Sequence, residues 1–350
     1  MTQNTLSTAT LPVLDFSRLT QGDAEAEAFR TELREATHDY GFFYLVGHGV
    51  PQELIDRIML TARRFFDLPE ADKMAIENLQ SPHFRGYTRI GGELTQGKVD
   101  WREQIDIGTE REPVEITPET PDYMRLEGPN QWPAALPELQ EVVTEWYDEL
   151  TRVSLTLLRE WALSLGADEY VFDAAFAERP STLIKIVRYP GKSDPEPKQG
   201  VGAHKDSGVL TLLLVEAGKG GLQVEKDGAW IDAPPIPGAF VVNIGELLEV
   251  ATNGYLKATV HRVISPRIGD DRISIPFFYS PALDATIPVL PLPPELAAQA
   301  TGITADPDNP IFTTYGENVL KSRLRAHPDV AAIHHADLLS KAAAPAHDAE

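Results

Sequence analysis

The spacing of apolar positions divides the chain into helical and β-rich territory. Phe29, Leu33, Ala36 and Tyr40 recur at helical intervals, which predicts a helix from Ala24 to Tyr40 with Gly41 as its stop. A second helix is predicted from Pro51 to Phe66. The longest stripe joins Leu139, Val142, Val143, Trp146, Leu150, Val153, Leu157 and Trp161, predicting a helix from Glu138 to Leu165 that ends at Gly166. This stripe reads as core packing. From Ser181 to Pro281 the pattern changes to short β-rich runs separated by Gly, Pro and Asp, the mark of a jelly roll or similar closed sheet. The Pro-rich, acidic stretch 110–137 reads as a surface connector, a last helix is predicted from Glu317 to Leu324, and the tail from Ala331 is expected to fray. No internal repeats are found.

Within the β-rich stretch, His204 and Asp206 stand two residues apart in Gly202-Ala203-His204-Lys205-Asp206. In an extended segment, positions i and i+2 project to one face, so an imidazole and a carboxylate share a common space. Leu210 to Val215 is read as continuing that strand, and His261 lies in a second β-branched run, Thr259 to Ile264. A second imidazole would complete a 2-His-1-carboxylate set, which binds Fe(II) on one side and leaves the opposite positions open. Arg272 and Ser274 form another i, i+2 pair at the start of the run to Tyr279, able to hold a carboxylate with N–H donors and a hydroxyl. A His-X-Asp triplet alone is a weak signal. Its placement among strands, with His261 and Arg272 following, carries the reading.

With those residues in place, the chain resembles the isopenicillin N synthase-like iron oxygenases, most of which use 2-oxoglutarate and which include the plant-type hydroxylases. Leu11 to Phe16 is similar to the family's opening strand, and Gly41 to Val50 to its signature after the first helix. Arg85-Gly86-Tyr87, Asp100-Trp101-Arg102-Glu103 and the stretch from Asn243-Ile244-Gly245-Glu246 to His261-Arg262-Val263 extend the resemblance over nearly the whole chain. It implies an α+β fold with a double-stranded β-helix (jelly roll) core and flanking N-terminal and C-terminal helices. The implied division is an N-terminal region 1–120, a connector and long helix 121–180, the jelly-roll core 181–285, and a C-terminal helical segment and tail 286–350.

The resemblance also implies roles. Fe(II) is held by His204, Asp206 and His261; 2-oxoglutarate chelates it and pairs its far carboxylate with Arg272 and Ser274; O2 takes the remaining position. Tyr189, in Arg188-Tyr189-Pro190-Gly191, resembles a tyrosine that helps bind the cosubstrate, although Val187 and Gly191 depart from the plant-type pattern there. The implied reaction hydroxylates, desaturates or cyclises a small organic substrate while 2-oxoglutarate becomes succinate and carbon dioxide. Arg85, Tyr87 and Trp101 fall in the region bordering the substrate pocket of relatives, as do Arg89 and Lys98. Two alternatives remain at this point. An isopenicillin N synthase-type oxidase keeps the same residues without needing 2-oxoglutarate, but carries a C-terminal glutamine able to ligate iron, whereas the last glutamine here is Gln299. A non-catalytic ligand-binding jelly roll is the other.

The remaining histidines read as structural. His48 is expected to be packed or hydrogen-bonded, His38, His83 and His327 lack carboxylates at ligand spacing, and His334 and His335 suggest adventitious metal binding. Arg262 should face away from the iron.

Composition narrows the setting. At 350 residues the chain can bury one large core. Its formal charge of -22 argues against nucleic acid and anionic membrane as partners, since both demand basic surfaces. Cysteine is absent, and the first residues, Met1 to Thr5, lack a signal-peptide pattern, which together point to the reducing cytoplasm. Oligomeric state is not legible.

Overall fold

Two β-sheets face each other across a thin apolar layer, and the helices cover the outer face of the larger one. The computed structural model describes residues 10–191, 199–303 and 309–343; Met1 to Thr5 and the last seven residues of the tail lie outside them. In chain order the strands are β1 (Val13–Asp15), β2 (Phe42–Val46), β3 (Gly86–Thr88), β4 (Leu94–Thr95), β5 (Lys98–Val99), β6 (Glu103–Gly108) and β7 (Leu183–Pro190). Then follow β8 (Gln199–His204), β9 (Leu210–Val215), β10 (Leu222–Lys226), β11 (Ala229–Asp232), β12 (Phe240–Ile244), β13 (His261–Ile264) and β14 (Asp271–Tyr279). An eight-stranded sheet runs β1-β2-β12-β9-β14-β7-β6-β3, and a four-stranded sheet runs β11-β10-β13-β8.

Strand alternation sorts the large sheet's side chains. Ile184 and Ile186 on β7, Ile105 and Ile107 on β6 and Ile273, Ile275 and Phe277 on β14 join the main core under the helices. Val187, Tyr189, Val215, Val241, Phe42 and Tyr44 turn inward and meet Val201, Leu222, Val224 and Val263 of the small sheet. The inner layer therefore holds two sheets at a fixed separation, which is what a site built across them requires.

The long helix spans Glu138–Ser164, and all eight stripe residues are buried. The helices Asp23–Asp39 and Gln52–Phe66 lie within a residue or two of expectation. Gly41 takes φ +66, and a Cβ there would sit 2.1 Å from the Lys257 carbonyl oxygen, so only glycine fits this stop.

Several expectations are corrected. Leu210–Val215 does not continue the strand carrying His204: β8 belongs to the small sheet and β9 to the large one, with a turn at Ser207-Gly208 between them. A short helix, Glu246–Ala251, interrupts the β-rich stretch. Far from fraying, the described part of the tail forms helices Pro328–His334 and Ala336–Ala343, with Val330, Ala331, His335 and Leu338 buried. His334 and His335 bond the carbonyls of Leu79 and Pro82 through Nε2, so they anchor the tail. His327 has a carboxylate after all, since Glu93 lies 3.6 Å from its Nε2 in the interior. The connector is partly inserted, burying Leu126 and Leu136. His48 bonds the Gly238 carbonyl, and Arg262 turns outward over Trp230 at 3.8 Å.

Candidate active site

β8 ends at His204 and β13 begins at His261, and antiparallel pairing sets the two residues directly opposite each other. Asp206 lies just past the strand end, its backbone carbonyl held by the Glu246 N–H at 2.8 Å. Its Oδ1 is 3.6 Å from His204 Nε2 and 3.7 Å from His261 Nε2. One ligand atom from each residue lies within 4.8 Å of the others.

Every remaining ligand atom is already engaged. His204 Nδ1 faces the Gly202 carbonyl at 2.8 Å and His261 Nδ1 the Thr259 carbonyl at 3.1 Å. A carbonyl only accepts, so both Nδ1 atoms donate, and both Nε2 lone pairs are left for a metal. Asp206 Oδ2 accepts from Thr211 Oγ1 at 2.6 Å and Asn243 Nδ2 at 2.8 Å, which reserves Oδ1. Three donors therefore converge from one side, which suits a 2-His-1-carboxylate iron site. Asn243→Ala should weaken Fe(II) binding about 10- to 100-fold, as loss of partners behind metal ligands does. Anaerobic metal titration checks this; unchanged affinity would show that Asn243 does not orient the carboxylate.

The electrostatics agree. Burial alone would raise the Asp206 pKa, but His261, His204 and the Thr211 hydrogen bond outweigh it and hold the carboxyl well below the usual carboxylate range. Burial, reinforced by His204, pushes His261 down to about 4, so this imidazole is neutral near pH 7. Burial opposes the charged form of His204 too, yet the contact with Asp206 wins and its pKa rises.

Arg272 on β14 pairs across the sheet with Tyr189 on β7, and Ser274 follows on the same inner face. Arg272 is 1% exposed. Its Nη1 donates to Ser274 Oγ at 3.3 Å and its guanidinium lies 4.9 Å from the Tyr189 ring centre, while Nε and Nη2 have no hydrogen-bond partner among the described residues. No carboxylate among the described residues contacts it, and a buried guanidinium so placed is costly by itself and suits the carboxylate of a ligand. The donor set and this fork thus fit an iron ion and a dicarboxylate cosubstrate.

The three pocket candidates separate. Tyr87 faces the helices, edge-on to Phe65 with its hydroxyl donating to Glu103 at 2.6 Å, so its side chain is not part of the interior site. The reason is register: Tyr87 pairs with Ile105, on the outer face. Trp101 is half-buried, and its backbone N–H donates to the Gln199 carbonyl on β8. Arg85 is buried over Gly108. Thr211 and Asn243 were not singled out from sequence, although a polar residue inside an apolar strand run is a usable signal. Gln299 is exposed and bonds the Glu295 carbonyl.

Two family models match this chain. Residues 11–135 fit the non-haem dioxygenase in morphine synthesis N-terminal family, and residues 180–281 fit the 2OG-Fe(II) oxygenase superfamily. A 2-oxoglutarate-dependent dioxygenase, frbJ, of Dothideomycetidae sp. is 36% identical, with 93% of this chain and 92% of that protein covered. The chain belongs to the 2-oxoglutarate- and Fe(II)-dependent oxygenases.

Other relatives support this dioxygenase from different directions. A homoarginine-6-hydroxylase of Arabidopsis thaliana is 36% identical over 79% of this chain and 86% of its own. Among solved structures, a full-length Neurospora crassa protein in complex with alpha-KG and thymine has a TM-score of 0.71 at 25% identity, covering 95% of this chain and 98% of that one. JOX2 in complex with 2OG, Fe and JA has a TM-score of 0.69 at 29% identity, covering 90% and 85%. The jelly-roll fold, the dioxygenase class, iron and 2-oxoglutarate therefore stand together, and the cosubstrate-independent and non-catalytic alternatives fall away. No helix among the described residues is long and apolar enough to cross a membrane.

Proposed function

We propose that this dioxygenase hydroxylates a small organic molecule, with His204, Asp206 and His261 as the iron ligands and Arg272, Ser274 and Tyr189 as the cosubstrate cradle. The observation that carries the assignment is the pairing of reserved Nε2, Nε2 and Oδ1 donors with a buried Arg272 fork that no described carboxylate contacts, in one interior. Iron held by His204, Asp206 and His261 would let O2 act as the oxidant, one oxygen atom passing to the substrate and the other to succinate as 2-oxoglutarate gives up two electrons and carbon dioxide. The chain's own residues do the rest. Arg272 fixes the far end of the cosubstrate, and Ser274 adds a hydroxyl to the same carboxylate. The two sheets hold the ligands on rigid elements, so the open side stays aimed at one substrate position.

Structural relatives bind small molecules of varied chemistry, thymine in the Neurospora crassa protein and JA in JOX2. Such variety on one framework supports a small-molecule substrate and leaves its class to the pocket residues. The formal charge of -22 speaks against nucleic acid or anionic membrane as a partner. The test is stoichiometric: with Fe(II), ascorbate and a candidate substrate, each hydroxylated product should accompany one succinate. Product formation at full rate without 2-oxoglutarate, and without succinate, would refute the assignment.

A further inference from the structure

Beyond the cosubstrate cradle, the interior holds a second set of buried charges that does not balance. Lys185, on the inner face of β7, bonds Glu93 at 2.8 Å and lies 3.6 Å from Asp106. Arg102 reaches Glu93 at 2.9 Å and Asp100 at 3.2 Å, and Arg323, from the helix Tyr315–Ala326, donates to Asp106 at 2.6 Å. Those three carboxylates are thus occupied by three cations. Arg85 is a fourth cation, 7% exposed, and no described carboxylate lies within ion-pair distance of it. Its Nη2 donates only to the Leu126 carbonyl at 3.3 Å, and its Nε has no partner. Glu110, a carboxylate outside the set, is exposed and engaged by Asn130 and Trp132.

Across the inner face of the large sheet Gly108, beneath Arg85, pairs with Leu183, Leu183 with Phe278 and Phe278 with Thr211, whose hydroxyl bonds Asp206, so the surplus charge lies three strands across from that ligand. Tyr315 is buried. Arg323 bonds Asp106 and Arg85 lies over Gly108, two residues along β6 on the same inner face, so the two guanidinium groups are neighbours. The Tyr315 ring edge would touch a Cβ placed on Gly208, two residues beyond Asp206, at 4.0 Å. The guanidinium of Arg85 is spread over Gly108, where any side chain would strike it at 2.1 Å, so its orientation is fixed by packing. A buried, oriented guanidinium with an unpaired Nε–H suits a planar anion.

We propose that the primary substrate carries a carboxylate and that Arg85, flanked by Arg323 and Tyr315, is the residue that binds it. This inference rests on the oxygenase reading above and names the substrate class for that same site. Burial and the neighbouring Arg323 lower the Arg85 pKa to about 10, which still leaves it charged at neutral pH. Arg323 keeps its own carboxylate, Asp106, so the incoming anion completes the set without displacing a partner.

The experiment uses matched pairs of acids and primary amides, such as phenylacetate, indole-3-acetate and N-acetylated amino acids, each beside its amide. Two readouts are taken on the full chain: succinate release, and the thermal shift of the Mn(II)- and 2-oxoglutarate-loaded protein. Acids should be accepted over their amides by wild type. Arg85→Gln should raise KM for accepted acids by about 30-fold or more, as loss of a charged hydrogen-bond pair does, with Arg85→Lys between. The 2-oxoglutarate–iron visible band should be unchanged in Arg85→Gln. Equal use of amides, unchanged KM in Arg85→Gln, or no acid accepted by protein that still forms the band would overturn the anion site. Absence of the band in wild type would instead overturn the oxygenase reading beneath it.

Discussion

Asp206→Ala should reduce succinate release by about 10³-fold or more, because iron binding is worth several kcal/mol to the reaction and each 1.36 kcal/mol is tenfold. The substitution removes the reserved Oδ1 and leaves the two imidazoles without their carboxylate. It also strands the Thr211 hydroxyl and the Asn243 amide, which now donate to Oδ2. Each buried donor left without a partner costs about 1–3 kcal/mol, so some loss of Tm is expected alongside. Circular dichroism and Tm separate this modest destabilisation from unfolding. A folded Asp206→Ala protein that still retains iron and turns over within tenfold of wild type would show that another group completes the site.

Arg272→Leu should raise the 2-oxoglutarate concentration needed for half-saturation by about 10²- to 10⁴-fold, the loss of two charge-assisted hydrogen bonds of about 1.5–3 kcal/mol each. Its effect on the free protein should have the opposite sign. In the absence of cosubstrate the guanidinium is buried with Nε and Nη2 unpartnered, an uncompensated charge that an apolar side chain removes. The Tm of cosubstrate-free Arg272→Leu should therefore equal or exceed that of wild type, while the stabilisation normally given by 2-oxoglutarate disappears. Arg272→Lys should fall between, since one ammonium cannot reproduce a two-pronged contact. A Tm drop of several degrees in the free variant, with cosubstrate affinity intact, would assign Arg272 to packing.

These two residues were legible in the sequence because strands have a period of two. His204 and Asp206, and Arg272 and Ser274, each share a face by counting alone, even though Asp206 proves to lie just past the strand end. Periodicity gives relative faces, however, and cannot say which face is inside. Tyr87 illustrates this: its place opposite Ile105 turns it toward the helices, and no local pattern specifies that register. The charge cluster was hidden for a related reason. Glu93, Asp100, Asp106, Lys185 and Arg323 look like ordinary surface residues until a loop, two strands and the C-terminal helix bring them together. Their burial is a tertiary property that composition reads as solubility. The tail was misread similarly, since its small residues suit close packing as well as fraying, and Val330 and Leu338 supply the contact.

The account rests on iron and 2-oxoglutarate meeting at His204, Asp206, His261 and Arg272. An anaerobic titration of Fe(II) into protein with saturating 2-oxoglutarate, followed in the visible region, addresses that meeting before any substrate is known. The expected result is a weak metal-to-ligand band that saturates at one iron per chain in wild type, is lost in Asp206→Ala, and needs far more 2-oxoglutarate in Arg272→Leu. No band in wild type, or an equal band in all three proteins, would contradict it.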